Sequence, residues 1–252
     1  MPGLLERLAR PAIFAHRGAS AHAPENTLAA FRLALEHHAD GFELDAKLTA
    51  DGEVVVIHDQ TVNRTTGERG VVRQMTLAQL KALDAGRYKG AAFDGERIPT
   101  LEAVFAELGA RTIINVEITN YTSVGDALPD RIADLVIRYN LQERVLFSSF
   151  HPLNLIRIHR RLPDAPLAIL TIPGRAGGLL RGWLGSRFAP ELIHPYYSDV
   201  NAQMIAREHK RGRRVNAWTV NDPGDMRHLF QMGIDGIITD DPRLARRVLE
   251  EK

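Results

Sequence analysis

The stretch IFAHRGASAHAPENTLAAF begins as a short apolar run and ends it on His16 and Arg17, where a plain turn needs only Gly, Asn or Ser. In GFELDAKLTADGEVVVIHD, Glu43 and Asp45 end a second run and His58 ends a third, while TIINVEI carries Glu117 near its end. A lone acid at a strand end is usually a solvated loop residue. Glu43 and Asp45 are different, because residues two apart on a strand share one face. At about 7 Å along the chain their carboxylates repel unless a cation stands between them. With Glu117 they make three oxygen donors in a chain without cysteine, a set that suits Mg²⁺ or Ca²⁺ better than zinc. Such a cation and Arg17 would neutralise phosphate oxygens. His16 and His58 would exchange protons with the attacking and leaving oxygens. The combination points to phosphoryl chemistry. There is no Walker-type Gly-rich Lys motif and no G-x-S-x-G elbow, which disfavours nucleotide hydrolysis and serine catalysis.

Other histidines carry weaker signals. His194 ends the run LIHP and is a candidate for lining the same bowl. His22 and His151 fall in loops on the side of the strand ends and remain open. Histidines 37, 38, 159, 209 and 228 sit in helical patterns beside charged residues and read as surface.

To bring these residues together the strand ends must share one face. Apolar runs at Ile13–Ala15, Phe42–Asp45, Val54–Ile57, Thr112–Ile118, Val145–Phe150, Leu167–Thr171, Leu192–Pro195, Val215–Val220 and Gly236–Thr239 alternate with helical patterns. The helices are expected at Thr27–His38, Leu77–Ala85, Leu101–Leu108, Pro129–Tyr139, Leu153–Arg161, Asn201–Arg211, Pro223–Met232 and Pro242–Glu250. Alternation of this kind predicts a parallel sheet with helical crossovers. Asp51-Gly52 is a two-residue hairpin signal that makes Val54–Ile57 the returning arm of a β-hairpin and sets Asp45 opposite His58. Eight parallel strands remain. The fold expected is an α/β (β/α)8 TIM barrel, one domain over residues 1–252, with a hairpin inserted after the second strand. An open doubly wound sheet is the alternative. In a barrel, the strand ends meet on the face that carries the chemistry.

Composition agrees with a soluble globular protein with a substantial core: 252 residues, 44% hydrophobic and 25% charged, with a formal net charge of +1. That balance and the lack of a basic run argue against a nucleic-acid partner. Glu6 and Arg7 interrupt what would be the apolar part of a signal peptide, and no apolar run reaches about 18 residues, so a cytoplasmic location is expected. Oligomeric state is not legible.

The segments AHRGASAHAPENTLAAF, GFELDAKLTADGEVVVIHD, NRTTGERGVV, MTLAQLKALDAG, RIPTLEAVF, VLFSSF, VNAWTVND and GIDGIITDDP resemble the successive motifs of the glycerophosphodiester phosphodiesterases, from about Ile13 to Pro242. The resemblance implies a TIM barrel that uses a divalent cation to hydrolyse glycerophosphodiesters to sn-glycerol 3-phosphate and an alcohol. Glycerophosphocholine and glycerophosphoethanolamine are the kind of small-molecule substrate implied. It also implies metal ligands at Glu43, Asp45 and Glu117, an acid–base pair at His16 and His58, and a phosphate-binding Arg17. The implied route runs through attack of the glycerol 2-hydroxyl and a cyclic phosphate opened by water. Trp218 would offer a flat wall to the substrate.

One departure stands out. Where the family reads E-I-K or E-L-K after the last acidic ligand, this chain has Thr119 in place of the lysine expected to contact phosphate. Losing that charge-assisted contact could slow the reaction on the order of 10²-fold. Lys47, on the Glu43/Asp45 face and one pleat further out, is expected to compensate as a phosphate-binding cation. A second departure is Leu167–Ser186, Gly-rich and apolar with Arg175 and Arg181, expected to form a lid or a weak membrane contact. That segment favours a relative cutting lysophospholipids in the manner of a lysophospholipase D. Thr119 alone favours a barrel that binds phosphodiesters without turnover.

Overall fold

The structure is a computed structural model that describes residues 3–174 and 190–251. Nine strands are present among them: β1 (Ala12–Ala15), β2 (Gly41–Leu48), β3 (Val54–Val56), β4 (Ile113–Ile118), β5 (Val145–Ser149), β6 (Leu167–Thr171), β7 (Leu192–Pro195), β8 (Arg214–Ala217) and β9 (Gly236–Thr239). Strand β1 pairs in parallel with β2 on one side and β9 on the other. The series β2, β4, β5, β6, β7, β8, β9 closes the ring with parallel pairs throughout. This is the (β/α)8 barrel, and its closure excludes the open sheet.

The strands form where the chain offers continuous apolar runs because both of their faces are covered, one by the barrel interior and the other by helices. Every residue of β1, β5, β6, β7, β8 and β9 is buried. The helices start at side chains that satisfy otherwise open N–H groups. Thr27 Oγ1 accepts from Ala30 N at 3.3 Å, Asn201 Oδ1 from Met204 N at 2.9 Å, and Asp222 Oδ1 from Gly224 N at 2.7 Å, ahead of Pro223. On the helix Leu28–Glu36 the inward Phe31 stacks on Phe42 of β2, with ring centroids 4.4 Å apart.

The hairpin exists, but its register is one residue off the expected one. Ala46 pairs with Val56, Lys47 with Val55 and Leu48 with Val54, and Ile57 N donates to Asp45 O at 2.9 Å, so Asp45 does not face His58. The physical reason is a loop one residue longer than the two-residue turn. Gly52 N bonds Thr49 O at 3.2 Å and Thr49 N bonds Glu53 O at 3.0 Å. Gly52 takes the left-handed conformation at φ +82°, as a three-residue hairpin with a Gly bulge requires. Thr49 Oγ1 holds the turn by accepting from Glu53 N at 3.0 Å and donating to Asp51 Oδ1.

Two short helices, Leu4–Arg7 and Asn63–Thr66, were not anticipated, and β8 ends at Ala217, short of the expected Val220. Most of the segment expected to form a lid or membrane contact, residues 175–186, lies outside the described residues. Among the described residues no helix is long and apolar enough to cross a membrane.

Gly18 shows how tightly the loop after β1 is laid on its helix. It has φ +82°, and a Cβ there would stand 2.6 Å from the carbonyl carbon of Ala30. Gly18→Ala is expected to destabilise the protein by more than about 2 kcal/mol, through backbone strain and overpacking. The check is a urea titration, in which the midpoint should fall while the slope stays constant. An unchanged midpoint would show that the close approach is dispensable.

Candidate active site

The register of β2 on β4 sets Asp45 beside Glu117, and Glu43 shares the Asp45 face. One carboxylate oxygen each from Glu43, Asp45 and Glu117 lies within 4.8 Å of the other two. Asp45 is 1% exposed and Glu43 3%. Burial, followed by the neighbouring Asp45 and Glu117, holds Glu43 well above the ordinary carboxylate range. Burial and Asp45 push Glu117 up to about 8, against a hydrogen bond from Tyr121, whose hydroxyl donates to Glu117 Oε1 at 2.6 Å. Burial would also raise Asp45, but Arg17, His58, Asn26 and His16 together bring it below its usual value. Three carboxylates this close ionise together only around a cation. Glu43 Oε1 is shut off from solvent without a hydrogen-bond partner. An all-oxygen set with an unsatisfied buried oxygen fits a hard divalent ion.

The loop between β1 and the helix Leu28–Glu36 folds over these acids. Arg17 N donates to Glu43 Oε2 at 3.0 Å, and Asn26 Nδ2 donates to Asp45 Oδ2 at 2.8 Å. Both residues sit in the left-handed region, at φ 56° and 57°. The Arg17 guanidinium donates from Nη1 to Glu25 Oε1 at 2.8 Å. Its Nε lies 3.3 Å from Asp45 Oδ2 but is not aligned for a hydrogen bond and has no other partner. The contact with Asp45 is therefore an ion pair in a buried setting.

Each histidine has one nitrogen tied to an aspartate. His16 Nδ1 lies 2.6 Å from Asp240 Oδ1, and His58 Nδ1 lies 2.7 Å from Asp59 Oδ1. Burial works to raise Asp240, but hydrogen bonds from His16, Asn221 and Ser20 bring it down to about 2. Asp59 is brought to about 2 chiefly by Arg64, with His58 assisting. At neutral pH both aspartates can only accept, so the proton sits on Nδ1 of each histidine and Nε2 is left for exchange. Both imidazoles lie within electrostatic reach of Asp45. The expected residues His16, Arg17, Glu43, Asp45, His58 and Glu117 thus come together.

Lys47 is also at this site, 5% exposed. Its Nζ donates to Thr119 Oγ1 at 2.7 Å and to Thr119 O at 3.1 Å. The Thr119 hydroxyl in turn donates to Ala46 O at 2.8 Å, which uses its only proton. Burial lowers Lys47, opposed by Asp45 and Glu117. Trp218 joins an arc of rings at the barrel mouth. It meets Phe150 at 5.4 Å and Tyr196 at 5.5 Å, and Tyr121 meets Phe150 at 5.7 Å. His194 is 1% exposed, with its Nδ1 unpartnered and its Nε2 3.4 Å from Asn216 Nδ2. Burial lowers it to about 3, so it is neutral. Its carbonyl accepts from Trp218 Nε1 at 2.8 Å.

Several residues of the site were missed in the sequence: Asp240, Asp59, Glu25, Arg64, Asn26 and Tyr121. Asp240 directly follows β9, so the strand-end rule that singled out Glu43 and Asp45 would have found it. Asn26 and Tyr121 gave no signal, since their part depends on a loop path and a side-chain direction.

A TIM barrel with an acidic, cation-fitting cluster and two aspartate-oriented histidines at the carboxyl ends of its strands has the architecture of a metal-assisted barrel enzyme. Comparison with known proteins narrows this. The family model for the glycerophosphoryl diester phosphodiesterase family matches residues 16–244. A glycerophosphodiester phosphodiesterase of Caldanaerobacter subterraneus is 40% identical, over 91% of this chain and 94% of its own. One from Bacillus altitudinis is 33% identical, over 95% and 98%. A solved Oleispira antarctica phosphodiesterase, in complex with the product sn-glycerol-3-phosphate, superposes with a TM-score of 0.86 at 29% identity, covering 96% of this chain and 98% of that one. The chain belongs to the glycerophosphoryl diester phosphodiesterase family, and it is a phosphoric diester hydrolase.

The Asp240 carboxylate, ordinarily near 3.8 and here about 2, adds stability that is complete above its unfolded value and disappears as pH falls through the folded one. Asp240→Asn should therefore flatten the loss of stability between pH 4 and 2, read as the denaturation midpoint against pH. Some slope should remain, because Asp59 and Asp84 are also held to about 2. An identical slope in wild type and variant would contradict the pairing with His16.

Proposed function

We propose that the site hydrolyses glycerophosphodiesters to sn-glycerol 3-phosphate and an alcohol, with a divalent cation held by Glu43, Asp45 and Glu117. His16 and His58 are the acid–base pair of this scheme. The observation that carries the proposal is the gathering of the three acids within 4.8 Å, with two imidazoles near Asp45 whose Nδ1 atoms are engaged by aspartates. The cation, when bound, supplies positive charge to the phosphate oxygens and lowers the barrier to attack. The chain's own residues do the rest.

In the first step one imidazole takes the proton of the glycerol 2-hydroxyl through Nε2 while that oxygen attacks phosphorus. The other gives its Nε2 proton to the departing alcohol oxygen, leaving a cyclic phosphate. In the second step their roles reverse: the now neutral imidazole takes a proton from water as its oxygen bonds to phosphorus, and the charged one returns a proton to the glycerol 2-oxygen as its P–O bond breaks. Both groups end as they began. Asp240 and Asp59 keep Nδ1–H fixed through the cycle and stabilise each imidazolium as it forms. Arg17, anchored by Glu25 and Asp45, is the phosphate-binding guanidinium.

Lys47 stands in for the lysine that Thr119 replaces. Its ammonium rests on Thr119 and has three N–H groups, so one remains for a phosphate oxygen after the two to Thr119. This supports turnover over mere binding, since the charge absent from position 119 is present beside it. The lysophospholipid alternative rests on Leu167–Ser186, of which residues 175–186 lie outside the described residues, and no described feature favours it. Trp218 and its neighbouring rings form the wall for glycerol or the leaving alcohol.

The test is a coupled assay for released glycerol 3-phosphate across several headgroups, with and without chelator. Chelation or Glu43→Ala should abolish release, and activity that survives both would overturn the metal assignment. His16→Ala and His58→Ala should each lower turnover by about 10²–10⁴-fold.

Lys47→Met is expected to slow turnover on the order of 10²-fold, the loss of one charge-assisted contact in the transition state. Thermal stability should change little, because the apolar stem is kept. A rate equal to wild type would remove Lys47 from the phosphate site.

A further inference from the structure

Outside the carboxylate cluster, the described residues hold a second set of metal-ligating side chains. One ligand atom each of His22, His37 and Asp241 lies within 4.8 Å of the other two. His22 Nε2 stands 3.0 Å from Asp241 Oδ2, and the rings of His22 and His37 meet edge to face at 5.3 Å. His37 belongs to the histidines whose sequence context reads as plain surface. It is instead half-buried, and its Nδ1 is closed to solvent without a hydrogen-bond partner. An ion pair between His22 and Asp241 would explain two of the three residues. It leaves the buried nitrogen of His37 unexplained.

We propose that His22, His37 and Asp241 bind a transition-metal ion of the zinc class and so tie the loop after β1 to the last helix. The donor chemistry differs from that of the carboxylate cluster. Two imidazole nitrogens and one carboxylate oxygen suit a borderline-soft ion such as Zn²⁺, whereas Mg²⁺ and Ca²⁺ select oxygen sets. With metal–ligand bonds of about 2.0–2.2 Å, tetrahedral donors stand about 3.3 Å apart. The His22–Asp241 pair, at 3.0 Å, is already near that spacing.

The three side chains come from separate elements, each fixed by its own backbone. His22 N donates to Ala19 O at 2.9 Å, and the preceding Ala21 N donates to Asp240 O at 3.0 Å. His37 closes the helix Leu28–Glu36, its N–H donating to Leu33 O at 2.9 Å. Asp241 caps the helix Pro242–Glu250: its Oδ1 accepts from Leu244 N at 2.9 Å, which leaves Oδ2 for the ion. Burial and the adjacent His22 lower His37, and Asp241 acts in the opposite sense. The position of the site suggests its use, because Asp241 adjoins Asp240 and His22 shares the loop of His16. An ion there clamps the two segments that meet in the His16–Asp240 pair.

The test uses the full chain, stripped with chelator and dialysed into excess Mg²⁺ to occupy the carboxylate cluster. Zn²⁺ is then titrated by calorimetry, and Co²⁺ is followed by visible absorption. The proposal expects one Zn²⁺ per chain, bound equally well in Glu43→Ala, with Co²⁺ bands typical of nitrogen ligation. His22→Gln and His37→Gln should each weaken Zn²⁺ at least about 10-fold, since even the loss of a ligand's outer partner costs about 10–100-fold. His22 is exposed, so its variant should stay folded, and Zn²⁺ should raise the melting temperature of wild type but not of His22→Gln. Zn²⁺ binding that disappears in Glu43→Ala, or that both glutamine variants leave intact, would overturn the proposal.

Discussion

Asp45 is a carboxylate with almost no solvent, kept charged by what surrounds it. An ionised group in such a place costs several kcal/mol of lost hydration unless partners replace the water, and stripping one partner from a buried pair costs about 3–5 kcal/mol. The loop after β1 supplies those partners. Arg17 brings its charge to 3.3 Å, and Asn26 donates at 2.8 Å while its own carbonyl oxygen accepts from Asp45 N at 3.3 Å. To reach these positions both residues adopt left-handed backbone, which costs a non-glycine residue roughly 1–2 kcal/mol. The electrostatic gain exceeds the backbone cost, so the loop takes this path. His16, one residue ahead of Arg17, is carried to the site by the same path.

From Asp45 the charges alternate in sign along a continuous chain. Arg17 passes to Glu25, Glu25 to Arg64 at 2.6 Å, Arg64 to Asp59 at 2.8 Å, and Asp59 to His58. Exposed single pairs contribute little to stability, and Arg64 is nearly half exposed. Glu25, however, is shielded and shared by two guanidiniums. Burial works to raise it, yet the hydrogen bond from Arg64 and the charge of Arg17 keep it below its usual value. The chain of charges thus links the loop that carries His16 to the segment that carries His58. Those two segments come from different strands and do not touch through the barrel ladder. The relative placement of His16 and His58 is set by ions more than by sheet geometry, and it depends on Asp45 remaining charged.

The barrel was legible because its strands are buried on both faces and appear as unbroken apolar runs. Leu167–Thr171 and Gly236–Thr239 match residue for residue. The gathering of the three acids was legible in kind but not in geometry. Sequence places Glu117 at a strand end, while the direct pairing of Asp45 with Glu117 depends on the stagger of β2 against β4, which no local pattern encodes. The hairpin register failed for a related reason. Asp51-Gly52 marks a turn, but whether Gly52 is the second or third loop residue was decided by Thr49, whose hydroxyl organises the longer loop. His194 shows a different limit: the end of a strand can be read from sequence, but not that a side chain there is almost wholly buried.

On the proposed reading, Thr119 and Lys47 preserve a charge at the site while moving the residue that carries it. The pairing of Ala46 with Ile118 sets the next residues on each strand, Lys47 and Thr119, side by side at the end of the β2–β4 ladder. A lysine on β4 could place its ammonium there from its own backbone. A lysine on β2 must lean across, and it needs acceptors to hold it in that pose. Thr119 supplies both, a carbonyl and a hydroxyl whose single proton is already spent on Ala46 O. Its side chain is therefore oriented as an acceptor toward Lys47 of β2 and is 2% exposed. Threonine at this position is better understood as the rest for a neighbouring cation than as a weakened copy of a lysine. On the proposed reading Thr119 and Lys47 form one rearrangement, in which neither residue would serve as well alone.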